Sequence, residues 1–242
     1  RLLLLISAVS FAYKLEIEVE LEMGDNVLKL EALKKHTATV VFLHGLGDTP
    51  HGWGIEMRQL QKSLPHVKFI LPCAPTSPVT LNGGMRMTSW HDIKSLERID
   101  VDFDGIDESA KIVTDIIEDE GKSNGISSDR VVVAGFSQGA GVALYAAYQY
   151  PEKLAGVAAL SGYLPHFQTF QETLHANNAK TPAILMHGDS DPVVQIKFGK
   201  ASHTVLEAAG VPAQFLTYPR MMHSSCPQEM KDFASFLRKR LP

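Results

Sequence analysis

Two kinds of hydrophobic pattern occur along the chain. Residues 15–23 (LEIEVELEM) place apolar side chains on one face and four glutamates on the other, which predicts a half-buried strand. A Gly-Asp-Asn turn follows, so residues 27–33 are expected to return as the second arm of a β-hairpin. Later segments are short and continuously apolar, as is typical of strands buried on both faces of a parallel sheet. These segments span 39–43, 67–71, 131–134, 157–160, 183–186 and 215–218.

Helical periodicity fills the intervals between these segments. Residues 227–241 show it well, because Met230, Phe233 and Leu237 recur at steps of three and four. The other predicted helices span 53–64, 106–120, 138–150 and 196–209. Strands that alternate with helices in this way predict an α/β fold with a mostly parallel sheet flanked by helices. We expect residues 1–38, an apolar stretch and the hairpin, to pack on a single domain that spans 39–242.

Composition and charge narrow the classes of protein. The 242 residues carry 23 basic and 27 acidic side chains, and the net charge of −4 offers no basic field for nucleic acid. The two cysteines, Cys73 and Cys226, do not suggest a disulfide framework, so a cytoplasmic location is predicted. Residues 1–12 (RLLLLISAVSFA) are too short to span a bilayer. A remnant of a secretory signal is the alternative for them, and it would place the protein in the secretory pathway.

A pentapeptide in the middle of the chain carries the clearest chemical motif. Gly-Phe-Ser-Gln-Gly at 135–139 stands between the apolar strand at 131–134 and a helix of small residues. A Gly-x-Ser-x-Gly sequence in this context is typical of the nucleophile elbow, a sharp turn that exposes a serine. Side chains two residues either side of that serine would collide with the strand or the helix. We therefore predict Ser137 as a nucleophile; a helix start with Ser137 as its N-cap is the alternative.

The loops after the last two predicted strands can activate such a serine. A serine hydroxyl needs a base to take its proton, and the base needs an acid to orient it. In this architecture the acid and then the histidine follow the serine along the chain. His223 is the only histidine downstream of the last predicted strand, so we predict it as the base. Spacing alone does not choose between Asp189 and Asp191 as the acid, but Asp191 is favoured because it lies further along the loop beside a rigid proline.

Backbone N–H groups that hold a developing oxyanion are expected at two places. One is the N–H of Gln138, directly after the nucleophile. The other belongs to Leu46, in the loop that follows the first parallel strand (HGLGD, 44–48). The glycines of this loop let the backbone approach a substrate closely. A structural role for His44 at the strand end is compatible with this interpretation.

Six sequence segments resemble the acyl-protein thioesterase family, which is also described as lysophospholipase-like carboxylesterases. They are FLHGLGD (42–48), HGW (51–53), GFSQG (135–139), LAGVAALSGYLP (154–165), HGDSDPVV (187–194) and MMHSSCPQEM (221–230). The resemblance implies an α/β-hydrolase fold and a triad of Ser137, Asp191 and His223. It implies oxyanion donors at Leu46 and Gln138. It also implies hydrolysis of fatty acyl thioesters on protein cysteines, and of small esters and lysophospholipids.

A fatty acyl chain needs an apolar groove beside the nucleophile, since each buried CH₂ contributes about 0.8 kcal/mol. The longest irregular stretch, residues 72–93, offers apolar side chains for such a groove, and so does the loop at 44–48, which we call the oxyanion loop. The predicted acyl or substrate contacts are Leu46, Leu81, Met85 and Trp90. A place in the core is an equal alternative for Trp90.

The residues predict a serine hydrolase, and the resemblance narrows its substrates to S-acylated (palmitoylated) proteins and small carboxylic esters. A carboxylesterase or lysophospholipase is the first alternative, and an inactive binding protein on a hydrolase fold is the second. No cofactor and no metal are expected, because the chain lacks Gly-x-Gly-x-x-Gly, His-Glu-x-x-His and Cys-x-x-Cys motifs. We expect transient contact with a membrane surface, while a homodimer is left open.

Overall fold

The computed structural model describes residues 26–98 and 102–242. Its strands form a seven-stranded sheet and a separate two-stranded hairpin. The strands of the sheet are β1 (Val27–Leu30), β2 (Ala38–Leu43), β3 (Val67–Pro72), β6 (Val131–Phe136), β7 (Gly156–Leu160), β8 (Ala183–Gly188) and β9 (Ala213–Tyr218). The hairpin consists of β4 (Thr76–Val79) and β5 (Met85–Thr88). The order across the sheet is β1-β3-β2-β6-β7-β8-β9. β1 runs antiparallel to β3, and the other pairs are parallel.

Helices cover both faces of this sheet. They are α1 (Gly54–Lys62), α2 (Ile106–Asn124), α3 (Gln138–Gln149), α4 (Phe170–Thr173), α5 (Ile196–Ala208) and α6 (Pro227–Arg240). Buried side chains of α2, α3 and α5 join the core on one face, and those of α1 and α6 join the core on the other. Within the two described ranges, no helix combines the length and the apolar content needed to cross a membrane.

Successive residues of the central strands point into opposite cores. Val41 and Val133 contribute to the core that α2 and α3 cover, whereas Val40 and Val132 contribute to the core beneath α1 and α6. All four side chains are completely buried. A strand covered on both faces needs an apolar residue at every position, which explains the continuous apolar segments of the sequence. The predicted α/β fold with a mostly parallel sheet is confirmed.

The hairpin of β4 and β5 was not predicted, because residues 72–93 were interpreted as irregular. Each of its strands has four residues, which is too short for periodicity to reveal, and β4 contains Pro78. Gly83 and Gly84 form its turn with φ angles of 66° and 81°. Such angles favour glycine. The two adjacent glycines were therefore the signal for a hairpin in this stretch.

Only part of the predicted N-terminal hairpin lies within the described residues. The apolar start (1–12) and the first arm of the predicted hairpin (15–23) lie outside the described residues. Residues of the second arm form β1, whose partner in the sheet is β3, with Val27 opposite Pro72. The division of the chain at residue 38 stays a prediction.

A carboxyl group without a partner is buried at the start of α6. Glu229 is completely buried, and among the described residues neither of its carboxyl oxygens has a hydrogen-bond partner. Burial raises the pKa of Glu229 to about 8, and the nearby backbone N–H of Cys226 offsets this only in part. The folded protein therefore keeps this carboxyl protonated at a pH where the unfolded chain releases the proton.

This burial predicts a pH-dependent stability that one substitution removes. As pH rises from the ordinary carboxyl pKa of 4.5 towards 8, the folded state holds a proton that the unfolded state loses, so stability falls across this interval. Between these limits the free energy of unfolding of the wild-type protein should fall by about 3–5 kcal/mol, and we expect Glu229→Gln to abolish this loss. Thermal unfolding at pH 5 and pH 8 measures the difference. Glu108→Gln, which alters an exposed carboxylate in the first turn of α2, is the control. An equal change in stability between pH 5 and pH 8 for the wild-type protein and both variants would contradict the prediction.

Candidate active site

Ser137 lies in a sharp turn between β6 and α3. Its φ of 56° and ψ of −119° are costly for a residue other than glycine, so the surrounding structure must hold it in place. A Cβ on Gly135 would overlap the carbonyl oxygen of Gly139, and a Cβ on Gly139 would overlap that of Leu43. The turn thus needs glycine at both positions, as the predicted nucleophile elbow requires.

Ser137, His223 and Asp191 form a chain of hydrogen bonds. The Ser137 hydroxyl lies 2.8 Å from Nε2 of His223, and Nδ1 of the same ring lies 2.7 Å from Oδ2 of Asp191. A carboxylate only accepts, so Nδ1 carries the ring proton and Nε2 is left to accept from the hydroxyl. The hydroxyl makes no capping hydrogen bond to α3, unlike the N-cap alternative. This arrangement places a base within reach of the serine proton.

The surroundings of Asp191 keep its carboxyl group ionised. Oδ1 accepts the backbone N–H groups of Val193 and Val194, each across 2.9 Å. Burial alone would raise the pKa of this carboxyl, but hydrogen bonds from His187, His223 and the backbone hold the pKa well below its usual range. The charge that orients the His223 ring is therefore present throughout the neutral range.

Asp189, the other candidate acid, occupies a different position. Its Oδ1 accepts the backbone N–H of Arg220 across 2.6 Å and the hydroxyl of Ser190 across 2.9 Å. Arg220 has a φ of 60° in the turn that leads to His223, and the bond from Asp189 helps to hold this turn. The structure thus brings Asp191, and not Asp189, to the histidine ring.

A second histidine, His187, lies beside Asp191, the predicted acid, and no role was predicted for it from the sequence. Its Nε2 lies 2.7 Å from the carbonyl oxygen of Val194 and 3.5 Å from Oδ2 of Asp191. The carbonyl only accepts, so Nε2 carries a proton. A Cβ on Gly199 would come within 2.6 Å of Nδ1 on the same ring. The only signal in the sequence was a histidine at the end of the strand that precedes the acid loop.

A cleft of about 300 Å³ opens beside Ser137 and His223. Its apolar lining consists of Leu46, Leu81, Ile93, Leu96, Phe136, Tyr163, Val193 and Val194. Asp48, Asn82 and Gln138 contribute polar atoms. Two of the predicted acyl contacts, Leu46 and Leu81, therefore border the cleft.

The other two predicted contacts lie elsewhere. Met85 is 64% exposed on β5 and is not among the residues that line the cleft. Trp90 is 1% exposed, and its Nε1 donates to the carbonyl oxygen of His44 across 2.8 Å. Its indole belongs to the core beneath the cleft, where an acyl chain from solvent does not reach it. The position of Trp90 is thus that of the core alternative rather than that of an acyl contact.

Both predicted oxyanion residues lie near Ser137, the predicted nucleophile. Leu46 and Gln138 line the cleft together with Ser137. Gln138 is the first residue of α3, and N–H groups in a first helical turn have no partner within the helix. The positive end of the helix dipole adds to their attraction for a negative oxygen.

A serine that is hydrogen-bonded to a histidine, itself held by an ionised aspartate, is the arrangement of serine hydrolases. On a mostly parallel sheet with the serine in an elbow after a central strand, the class is that of the α/β-hydrolases. The family model described as Phospholipase/Carboxylesterase matches residues 29–241 of the chain. The chain therefore belongs to the phospholipase/carboxylesterase family. The predicted α/β-hydrolase fold and the predicted class of serine hydrolase are both confirmed.

Several proteins are similar to this chain over most of its length. Acyl-protein thioesterase 1 of Neurospora crassa is 42% identical over 225 residues, which is 89% of this chain and 91% of the relative. Acyl-protein thioesterase 1 homolog 1 of Dictyostelium discoideum is 43% identical over 91% of this chain and 100% of its own length. The crystal structure of Zea mays acyl-protein thioesterase 2 superposes with a TM-score of 0.80 at 33% identity, covering 89% of this chain and 99% of that chain. The resemblance noted in the sequence is thereby confirmed.

Proposed function

We propose that this protein is an acyl-protein thioesterase that removes fatty acyl groups from cysteine side chains of S-acylated, including palmitoylated, proteins. The observation that carries the proposal is the hydrogen-bonded chain from Ser137 through His223 to Asp191 beside a mainly apolar cleft. The names of the relatives supply the substrate class, since the Neurospora crassa and Dictyostelium discoideum proteins are called acyl-protein thioesterases.

The first half of the reaction forms an acyl-enzyme. The Ser137 oxygen attacks the thioester carbonyl carbon while Nε2 of His223 takes the hydroxyl proton. The carbonyl oxygen becomes an oxyanion, which accepts hydrogen bonds from the backbone N–H groups of Leu46 and Gln138. The intermediate collapses, the carbon–sulfur bond breaks, and the sulfur of the protein cysteine takes the proton from His223. The ionised Asp191 stabilises the imidazolium that exists between these two proton transfers.

The second half of the reaction releases the fatty acid. A water molecule gives a proton to Nε2 of His223 and attacks the carbonyl carbon of the ester on Ser137. The same two backbone N–H groups hold the second oxyanion. Collapse of this intermediate breaks the bond to the serine oxygen, which takes the proton back, and the carboxylic acid leaves. Atoms and charges are then restored, so no cofactor is consumed.

The rim of the cleft fits substrates presented at a membrane surface. Leu81, Leu96, Val193 and Met222 are between 36% and 57% exposed, and the first three of them line the cleft. A net charge of −4 gives no general attraction to anionic lipid. Contact with a membrane surface is therefore transient and mainly apolar. Both cysteines are free thiols, which fits a cytoplasmic location.

A carboxylesterase or lysophospholipase that acts on small molecules is the second candidate, and the description of the matched family favours it. The chemistry at Ser137 is the same for both candidates, so only the substrate distinguishes them. The length of the acyl chain and the size of the leaving group are the variables to test.

A comparison of substrates tests the proposal. We expect kcat/KM for thioester peptides to rise from acetyl to octanoyl by up to about fourfold per CH₂, because each methylene that enters the cleft leaves water. Release of palmitate from an S-palmitoylated peptide should exceed release from a lysophospholipid of the same chain length. A matched peptide with an O-palmitoyl serine is the control for the leaving group. Efficient cleavage of short p-nitrophenyl esters with no palmitate released from the peptide would overturn the proposal in favour of the esterase.

A further inference from the structure

A short segment of chain is hydrogen-bonded both to the loop that carries one proposed oxyanion N–H group and to the residue that carries the other. Leu46 lies in the loop after β2, whereas Gln138 begins α3. The strands that precede them are paired as far as Leu43 and Gly135, and Leu46 lies three residues beyond that pairing. Residues 88–91, which we call the strap, run from the last residue of β5 past both of them. The strap is largely buried, with Ser89, Trp90 and His91 between 1% and 2% exposed.

Three hydrogen bonds join the strap to the oxyanion loop. The N–H of Gly47 donates to the carbonyl oxygen of Thr88 across 2.8 Å. The hydroxyl of Thr88 donates to the carbonyl oxygen of Asp48 across 2.6 Å. Nε1 of Trp90 donates to the carbonyl oxygen of His44 across 2.8 Å. The backbone on both sides of Leu46 is therefore held by the strap.

Three further hydrogen bonds join the strap to the side chain of Gln138, which is 4% exposed. Its Oε1 accepts the backbone N–H of Trp90 across 3.0 Å. Its Nε2 donates to the hydroxyl of Ser89 across 2.9 Å and to the carbonyl oxygen of His91 across 2.7 Å. The partners fix the orientation of the amide, because an N–H only donates and a carbonyl only accepts. Each polar atom of this side chain has a partner, so the connection is rigid.

We propose that the side chain of Gln138 is a positioning residue for hydrolysis: by binding the strap, it fixes the separation of the N–H groups of Leu46 and Gln138 that receive the oxyanion. The inference rests on the proposed function of those two groups. Both donors must lie about 2.7–3.1 Å from the same oxygen to stabilise it. A displacement of about 1 Å can cost up to about 100-fold in rate. The amide thereby acts on the rate of bond formation rather than on the binding of the acyl chain.

Gln138→Met tests this role, because the two side chains have similar length and methionine cannot replace these hydrogen bonds. We expect kcat for a short p-nitrophenyl ester to fall about 10- to 100-fold, while KM changes less than about threefold. The affinity for an alkyl boronic acid, which forms a tetrahedral adduct on serine, should fall in parallel with kcat/KM. Gln149→Met is the matched control on the same helix, since its Nε2 donates to the carbonyl oxygen of Tyr145, at 3.3 Å, and to no other described residue. The control should keep the kcat of the wild-type protein.

Gln138→Glu supplies a readout that a merely structural role would not move. In its neutral form the carboxyl group can accept from Trp90 and donate to His91, although its single O–H cannot also donate to Ser89, and the ionised form donates to neither. We therefore expect kcat relative to the wild-type protein to be highest at low pH and to fall as pH rises. This pH profile decides the question if Gln138→Met does not fold.

Different results would contradict the positioning role of Gln138 and the role of Ser137 as the nucleophile. Rates are expressed per active site, counted by exhaustive labelling with a fluorophosphonate. Absence of labelling in the wild-type protein would refute Ser137 as the nucleophile. Complete labelling of Gln138→Met with kcat within threefold of the wild-type value would instead overturn the positioning role. A pH profile of Gln138→Glu that parallels the wild-type profile would also overturn it.

Discussion

Replacing Ser137 by alanine is expected to lower kcat/KM for thioesters and esters by about 10³- to 10⁶-fold. The substitution removes the oxygen that forms the acyl-enzyme. Oxyanion donors and the cleft would still bind the substrate, which leaves a small residual rate. Initial rates with a p-nitrophenyl ester and with an S-octanoyl peptide measure the loss.

Ser161→Ala is the matched control for this experiment. Ser161 follows β7 directly, is completely buried, has a φ of 49°, and within the described part of the chain its hydroxyl has no partner. It shares a strained backbone with Ser137 but lacks the contact with His223. We expect its activity to stay within about threefold of the wild-type value. A fluorophosphonate that still labels Ser137→Ala would refute the assignment of the nucleophile.

Asp191→Asn is expected to lower kcat by about 10³- to 10⁴-fold with little change in fold. The amide oxygen can keep the N–H bonds of Val193 and Val194, so its NH₂ group would face Nδ1 of His223. Nδ1 must then accept, which moves the ring proton to Nε2 and leaves no base for Ser137. Steady-state rates and thermal unfolding of the same preparation separate this effect from a loss of stability.

Asp189→Asn distinguishes the two acids that the sequence left in competition. Asp189 binds the backbone of Arg220 rather than a histidine, and an amide oxygen can accept that N–H as well. We expect its kcat to stay within about tenfold of the wild-type value. A larger loss for Asp189→Asn than for Asp191→Asn would contradict the geometry of the acid loop.

Much of the fold and of the candidate site could be predicted because local patterns record them. A strand covered on both faces must be apolar throughout, so β2 and β6 were visible in the sequence. The elbow requires glycine at 135 and 139, and this requirement marked Ser137. Loops at the carboxyl ends of parallel strands meet at one edge of the sheet, so Asp191 and His223 could be expected near the serine.

The remaining features depend on contacts that no local pattern records. Gln138 and Trp90 are 48 residues apart in the sequence, and only the folded chain shows that their polar atoms pair. Trp90 stands in an irregular segment, where periodicity does not separate a core position from a cleft position. His187 supports Asp191 through the carbonyl of Val194, and a side-chain bond to backbone needs no particular residue type at its partner.

The hairpin of β4 and β5 lies outside the seven-stranded sheet, and this separation has a consequence for divergence among related enzymes. The segment between its strands contributes Leu81 and Asn82 to the cleft, while Ser137, Asp191 and His223 stand on loops of the sheet. Thr80 at the base of that segment is held by the carboxylate of Asp92, through a backbone and a hydroxyl hydrogen bond. Substitutions in the segment between β4 and β5 are therefore not expected to move Ser137, Asp191 or His223. Substitutions in that segment can therefore change substrate preference without changing the residues that carry out the chemical step.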